Sequence, residues 1–292
     1  MQNRPKIAFF GTPDFAVTVL RALKKCGIMP DAIVTSPDKP KGRNLVLTPP
    51  PVKVWADENG MSVFQPEKLA GFSLPEKYDL FILAAYGKMI PKEILAAPKY
   101  GTLNVHPSLL PKWRGASPIQ SAILAGDKET GVSIMLLDEE MDHGPILATE
   151  KIPLEKWSPD YLKLEEKAGE MGGKMLCEII PKWIKGEIKP VPQDHVKATY
   201  CRKIKKEDGS IEPLIILGKE SNAEKVTEAE RKVRALNPDP GTFTILKIHG
   251  KDIRIKIKKA HVANSALIPD LVIPEGKKEM SWSDFLKGHP IN

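Results

Sequence analysis

Within Tyr78–Ala85 the run DLFILAA is apolar at every position after its first residue. A strand with one wet face alternates apolar and polar side chains, so an unbroken apolar run of this length marks a strand buried on both faces, as in a parallel sheet covered by helices. Lys6–Phe10 and Asp31–Thr35 read as further short strands. Between them Gly11-Thr12-Pro13-Asp14 opens a helix running to about Cys26, with Thr12 or Asp14 as its cap. This order predicts a doubly wound, Rossmann-like α/β sheet. The first turn carries one glycine rather than G-x-G-x-x-G, so no dinucleotide cofactor is expected.

The chain continues in the same idiom. A helix is expected over Pro51–Asn59, a strand at Ser62–Phe64, a helix started by Pro91, and a strand at Leu103–His106. Gly131–Leu137 and Ile146–Ile152 flank a turn as an antiparallel pair, which makes the sheet mixed. Pro159–Lys185 has the pattern of a long helix, interrupted by Gly169, Gly172 and Gly173, that packs on the sheet. Gly186–Lys205 is polar, with Pro190 and Pro192, and reads as a linker. Beyond it a basic helix ends at Asn237-Pro238. Leu246–Lys259 then alternates apolar and basic residues around a His249-Gly250 hairpin turn, giving a smaller, mostly β, barrel-like domain with one positive face. The expected domains are residues 1–187, a linker at 188–205, and a basic domain at 206–292.

Composition narrows the function classes. With 292 residues, 41% of them hydrophobic, the chain can bury a full core. Its longest apolar runs fall far short of a membrane span, and MQNRPKIAFFG enters a strand rather than a signal peptide, so a cytoplasmic address is expected, and the chain is expected as a monomer. Cys26, Cys177 and Cys201 lack metal-ligand spacing and are expected as reduced thiols, with no metal site. Met1–Pro181 holds 22 Lys+Arg against 22 Asp+Glu, while Lys182–Asn292 holds 22 against 15, so the whole +7 lies in the last part of the chain. Such a bias suits a polyanionic partner or plain solubility.

The chemistry concentrates in GTLNVHPSLLPKWRG, Gly101–Gly115. Alternate residues of a strand share a face, so Asn104 and His106 point the same way. Pro107 and Pro111 bar a regular helix and leave Ser108, Leu109 and Leu110 as a stiff loop whose backbone groups are open to a ligand. Farther on, LLDEEMDHGPIL places Asp142 and His143 before a Gly-Pro turn. An amide, an imidazole and a carboxylate at strand ends form a set suited to acyl transfer. Arg114 is read either as a paired-donor clamp for phosphate or carboxylate, or as a surface ion-pair partner. Ser36–Val52, with five prolines, reads as a long loop whose Lys39, Lys41 and Arg43 form a positive tip suited to phosphate.

The pattern Asn-x-His-x-Ser-Leu-Leu-Pro with a downstream Asp-x-Gly resembles the enzymes that take a formyl group from 10-formyltetrahydrofolate. KWRGASPIQ, the Ser36–Val52 segment, TYCRKIKKEDGSI and VRALNPDPGTFT resemble the methionyl-tRNA formyltransferase branch. The resemblance implies formyl transfer to the α-amino group of initiator methionyl-tRNA, with Asn104, His106 and Asp142 as catalytic residues and no metal. It implies that Ala85, Tyr86 and Gly87 in LAAYGKMIP lie against the pterin, beside Ser108, Leu109, Leu110 and Pro111, and that Arg43 leads the contact with the tRNA acceptor end. Two departures stand out. Asn44-Leu45-Val46-Leu47 replaces lysines common in the family, and Glu212-Pro213 replaces an acidic-Trp pair. HPSLLP is also similar to glycinamide ribonucleotide and amino-sugar formyltransferases, so a small-amine acceptor is the rival reading, and a non-catalytic RNA-binding relative is the third.

Overall fold

The computed structural model describes residues 4–42, 45–155 and 157–289. The chain divides into two compact units, the first being Met1–Ala116, Glu129–Pro153 and Glu165–Cys201, the second Ser117–Lys128, Leu154–Leu164 and Arg202–Asn292. The strands of the first are β1 (Ile7–Gly11), β2 (Ala32–Val34), β3 (Lys39–Lys41), β4 (Val46–Thr48), β5 (Val63–Phe64), β6 (Leu80–Ala84), β7 (Thr102–His106), β8 (Arg114–Gly115), β9 (Glu129–Leu136), β10 (Ile146–Pro153) and β11 (Tyr200–Cys201). Its helices are α1 (Asp14–Lys25), α2 (Pro51–Glu58), α3 (Lys92–Leu95) and, after α4 (Pro118–Ala125) of the second unit, most of α5 (Tyr161–Ile184).

Seven strands form the main sheet in the order β10-β9-β7-β6-β1-β2-β5, parallel from β7 to β5, with β9 antiparallel to β7 and β10 antiparallel to β9. The apolar runs are its centre: β1 is buried throughout, as are Leu80, Phe81, Ile82 and Ala84 of β6. Each such Ile or Leu stabilises the fold by roughly 1.5–3 kcal/mol through burial. The glycines that interrupt the helical pattern of α5 have a packing reason. A side chain at Gly172 would begin 2.3 Å from Val105, so α5 lies close on the Val105 side of β7 and leaves the other side to Asn104 and His106.

Two expectations are corrected here. Ser36–Val52 is not loop throughout, because β3 and β4 pair as an exposed antiparallel hairpin with Lys39 opposite Thr48 and Lys41 opposite Val46. Three residues per strand are too few to show alternation, and Pro40 is tolerated because both strands of a two-stranded ribbon are edges. Cys26 and Cys177 are not separate thiols either. They form a disulfide between the end of α1 and α5, with Cα atoms 6.4 Å apart, a pairing that spacing across 151 residues does not reveal.

The second unit adds α6 (Pro213–Ile216), α7 (Ala223–Leu236) and α8 (Trp282–Gly288) to an antiparallel sheet of β12 (Thr242–Ile248), β13 (Lys251–Ala263), β14 (Ala266–Pro274) and β15 (Met280–Ser281). His249 and Gly250, both at positive φ, make the two-residue turn between β12 and β13. Along β13, Ile255 and Ile257 are buried while Arg254 and Lys256 are exposed, which is the alternation the sequence shows. Ile257 joins Ile215, Val226 and Val233 in one core, and Ile255 joins Leu246, Val272 and Phe285 in another. Among the described residues no helix is long and apolar enough to cross a membrane.

Candidate active site

Asn104 and His106 lie in the middle of the sheet, between β6 and β9, and are only 5% and 4% exposed. Buried polar groups need partners. Asp142 supplies them from 38 residues away: its Oδ1 accepts from Asn104 Nδ2 at 3.3 Å and stands 3.5 Å from His106 Nδ1. Its Oδ2 accepts the Gly115 N–H at 2.8 Å. That approach requires glycine, since Gly115 has φ 114° and a Cβ there would lie 2.2 Å from the Cys201 carbonyl oxygen. On its far side His106 Nε2 meets the Trp113 carbonyl at 2.9 Å. A carbonyl only accepts, so Nε2 carries the hydrogen and Nδ1 is the nitrogen left to exchange a proton beside Asp142.

Backbone strain gathers at the same place. Ala85, Trp113 and Asp142 all have positive φ, at 46°, 60° and 49°, a conformation that costs of order 1–3 kcal/mol for a residue with a side chain and must be held by its surroundings. For Asp142 the holder is Gln193, whose Nε2 donates to the carbonyls of Asp142 at 2.9 Å and Gly144 at 2.7 Å. Arg114 sits behind it, only 2% exposed: Nε and Nη2 both donate to Gln193 Oε1, at 3.1 and 2.7 Å. Nη2 also meets His195 Nδ1 at 2.9 Å, and Nη1 reaches the Tyr200 hydroxyl at 3.4 Å. Arg114 is therefore neither of the things its sequence position suggested. Its guanidinium faces the interior because β8 pairs with β11, 86 residues on, which folds Gln193, His195 and Tyr200 over it.

The loop after β7 also departs from expectation, because its backbone is paired. The Ser108 N–H donates to the His106 carbonyl at 2.9 Å, and the Ser108 carbonyl accepts from Ser133 Oγ at 2.7 Å. The Leu110 N–H donates to that same Ser133 Oγ at 3.1 Å, and the Leu109 carbonyl accepts from the Lys112 N–H at 3.0 Å. With Ser108 fully buried, what this loop turns outward is the half-buried apolar surface of Leu109 and Pro111. Beside it, at the end of β6, Ala85 and Gly87 are exposed. Tyr86 points inward, edge-on to Phe10 at 5.6 Å, and burial pushes its hydroxyl up to about 12.

Lys39 and Lys41 are exposed on the hairpin, away from these hydrogen bonds, and Arg43 lies outside the described residues. His143 stacks on His195 with ring centroids 4.0 Å apart and meets Asp138 Oδ2 at 2.7 Å through Nδ1. Among the described residues no group of three His, Cys, Asp or Glu side chains is placed to hold a metal ion. Gln193 escaped the sequence reading because polar, proline-bearing composition gives no sign of its burial, and His195 and Tyr200, both exposed, because their contacts with Arg114 depend on distant pairing. The Gly115 N–H and Trp113 carbonyl escaped because backbone groups leave no trace in side-chain chemistry.

Residues 5–180 match the family model described as formyl transferase. A methionyl-tRNA formyltransferase of Myxococcus xanthus is 39% identical, over 99% of this chain and 96% of its own. Among solved structures, an N-formyltransferase of Helicobacter canadensis, in complex with folinic acid and dTDP-3-aminofucose, aligns with TM-score 0.61 at 19% identity, covering 89% of this chain and 88% of that one. The methionyl-tRNA formyltransferase of Clostridium thermocellum aligns with TM-score 0.57 at 18% identity, covering 92% and 98%. At such identities the structures speak to the fold, and it is the family match with the full-length relative that places the chain in the formyltransferase family, alongside its methionyl-tRNA members.

Proposed function

We propose that this chain transfers a formyl group from 10-formyltetrahydrofolate to the α-amino group of initiator methionyl-tRNA, as a monomer in the cytoplasm. The observation that carries the proposal is the convergence of Asn104, His106 and Asp142 on one face of β7. An α-amino group titrates at about 7.7–8.0, so a useful fraction is neutral near pH 7 and the barrier lies in the charge that develops on the formyl oxygen. Asn104 uses one amide hydrogen on Asp142, and its second is the donor for that oxygen. Asp142 takes the proton of the attacking amine, and His106 Nδ1, beside it, passes a proton on to the departing nitrogen. The donor supplies an activated formyl group on a secondary nitrogen. The exposed turn at Ala85 and Gly87, with the apolar surface of Leu109 and Pro111, fits its planar, amide-bearing ring system.

In this proposal residues 1–187 carry the chemistry, 188–205 join the domains while lending Gln193 to the site, and 206–292 meet the tRNA backbone through the basic face of β13. Lys39, Lys41 and Arg43 engage the acceptor end. The deciding experiment incubates the chain and a formyl donor with charged initiator tRNA, charged elongator methionine tRNA, glycinamide ribonucleotide and a nucleotide-linked amino sugar. The expected product is formylated initiator methionyl-tRNA. Formylation of a small amine with neither tRNA blocked supports the rival acceptor, and no formylation of any acceptor by the folded chain ends the enzymatic reading.

A further inference from the structure

Arg114 presents a physical problem that the formyl-transfer chemistry does not address. A guanidinium 2% exposed normally has a carboxylate partner, because removing its charge from water is costly; among the described residues Arg114 makes no ion pair. Besides His195 Nδ1 and the Tyr200 hydroxyl, its donors go to one amide. Two N–H groups converge on Gln193 Oε1, and the opposite end of that amide donates to two carbonyls, at Asp142 and Gly144. A cation on the oxygen side polarises the amide and strengthens what its N–H groups donate. Gln193 is itself 6% exposed, and all four of these hydrogen bonds are internal. The two carbonyls lie at and just after Asp142, which is held at φ 49°, a conformation that is costly for a residue with a side chain.

We infer that Gln193, backed by Arg114, is a positioning residue for Asp142: it fixes the backbone that leaves Asp142, at the Asp142 and Gly144 carbonyls, so that Oδ1 stays between Asn104 and His106 while Oδ2 stays on the Gly115 N–H. This rests on the role given to Asp142 in the proposed reaction. The arrangement leaves the carboxylate uncancelled. Had Arg114 bonded the side chain of Asp142 directly, it would have held the same geometry but suppressed the carboxylate's affinity for a proton. Acting through an amide on the main chain, it fixes position and leaves proton transfer to the side chain.

The test is a set of five proteins, wild type, Gln193→Met, Gln193→Glu, Asp142→Asn and the double variant of Gln193→Met and Asp142→Asn, assayed by single-turnover formyl transfer and by thermal melting. Misplacement of a reacting group by about 1 Å costs up to about 100-fold, so Gln193→Met is expected to lose about 10- to 100-fold in the transfer rate. KM for both substrates should stay within about twofold. Gln193→Glu keeps an acceptor for Arg114 but has no N–H for either carbonyl, so it should remain folded and lose rate by a similar factor. In the Asp142→Asn background, Gln193→Met should cost less than about twofold more, because there is no longer a carboxylate to position. A folded Gln193→Glu with wild-type rate overturns the inference, as does a full further loss on top of Asp142→Asn, which would mark a general structural role. Near-normal transfer by Asp142→Asn alone overturns the role of Asp142 and this inference with it, whereas an impaired Asp142→Asn beside active Gln193 variants overturns this inference only.

Discussion

The β7 face and the C-terminal unit hold their charges in opposite ways. Around β7, Asp142 and Arg114 are largely withdrawn from water and are fixed by dipoles: an asparagine amide, a backbone N–H, and a glutamine amide between guanidinium and carbonyls. In the C-terminal unit, charge meets opposite charge directly. Arg202 pairs with Asp208 at 2.6 Å, Arg234 with Glu230 at 2.5 Å and Lys225 with Glu220 at 3.3 Å, while Arg254 lies over the Phe243 ring at 3.7 Å. A salt bridge fixes a carboxylate by favouring its ionised form, which stabilises a fold modestly and spoils a proton acceptor. Neutral donors fix the same group without setting a full opposing charge beside it, although each hydrogen bond they donate also favours the ionised form. The difference separates charges used for chemistry from charges used for stability and for binding a polyanion.

The largest effect that can break this comparison is at β7. Asp142→Asn keeps the side-chain shape but only one of the two hydrogen-bond acceptors, and deletes the proton acceptor, while Asn104→Ala removes the proposed oxyanion donor. Each is expected to lower the single-turnover transfer rate by about 10²–10³, with little change in melting temperature. Losses under about threefold in folded protein would show that dipole-held groups here are architectural. An intermediate effect belongs to β13. Replacing Arg254, Lys256 and Lys258 with Ala leaves the β7 site untouched, so kcat should hold while KM for methionyl-tRNA rises, and the salt dependence of KM should flatten by about one unit of slope for each phosphate no longer neutralised. A fall in kcat with an unchanged salt slope would move the basic face out of substrate binding.

Much of this was legible in the sequence, and what was not has identifiable causes. Continuous apolar runs announced β1 and β6, because only strands buried on both faces carry them, and the two-residue spacing of Asn104 and His106 announced a shared face. The antiparallel pair β9 and β10 was readable from two strand-like runs flanking one turn, and the inside-outside alternation of β13 from period. Contacts decided by distant pairing were not. β8 meets β11 across 86 residues, and that ladder turns Arg114 inward and brings Gln193 to the Asp142 loop. The paired backbone after β7 depends on one hydroxyl, Ser133, contributed by the neighbouring strand. Composition treats residues near Gln193 as solvent-facing, since proline and polar side chains are common to linkers and to tightly bonded inner loops.

The smallest expected effect tests the other half of the comparison. Arg202 and the Lys205 N–H beside Asp208 hold its carboxyl down at about 2, against an ordinary 3.8. A carboxyl whose folded value is depressed stabilises the protein above its unfolded value and ceases to do so as pH falls through the folded one. The contribution of Asp208 should therefore be nearly complete above about pH 4 and be lost as the pH falls through about 2. Arg202 is 62% exposed, so solvent screening reduces the contribution to on the order of 1 kcal/mol. Asp208→Asn should be less stable than wild type by about that much at pH 6 in urea unfolding, with the two curves converging as the pH is lowered to 2, while transfer activity at pH 7 is unchanged. A gap that persists at pH 2 would assign the loss to shape rather than charge. A fall in activity of the Asp208 variant would mean that the ion pairs of the C-terminal unit also serve the reaction, and the division between the two kinds of charge would fail.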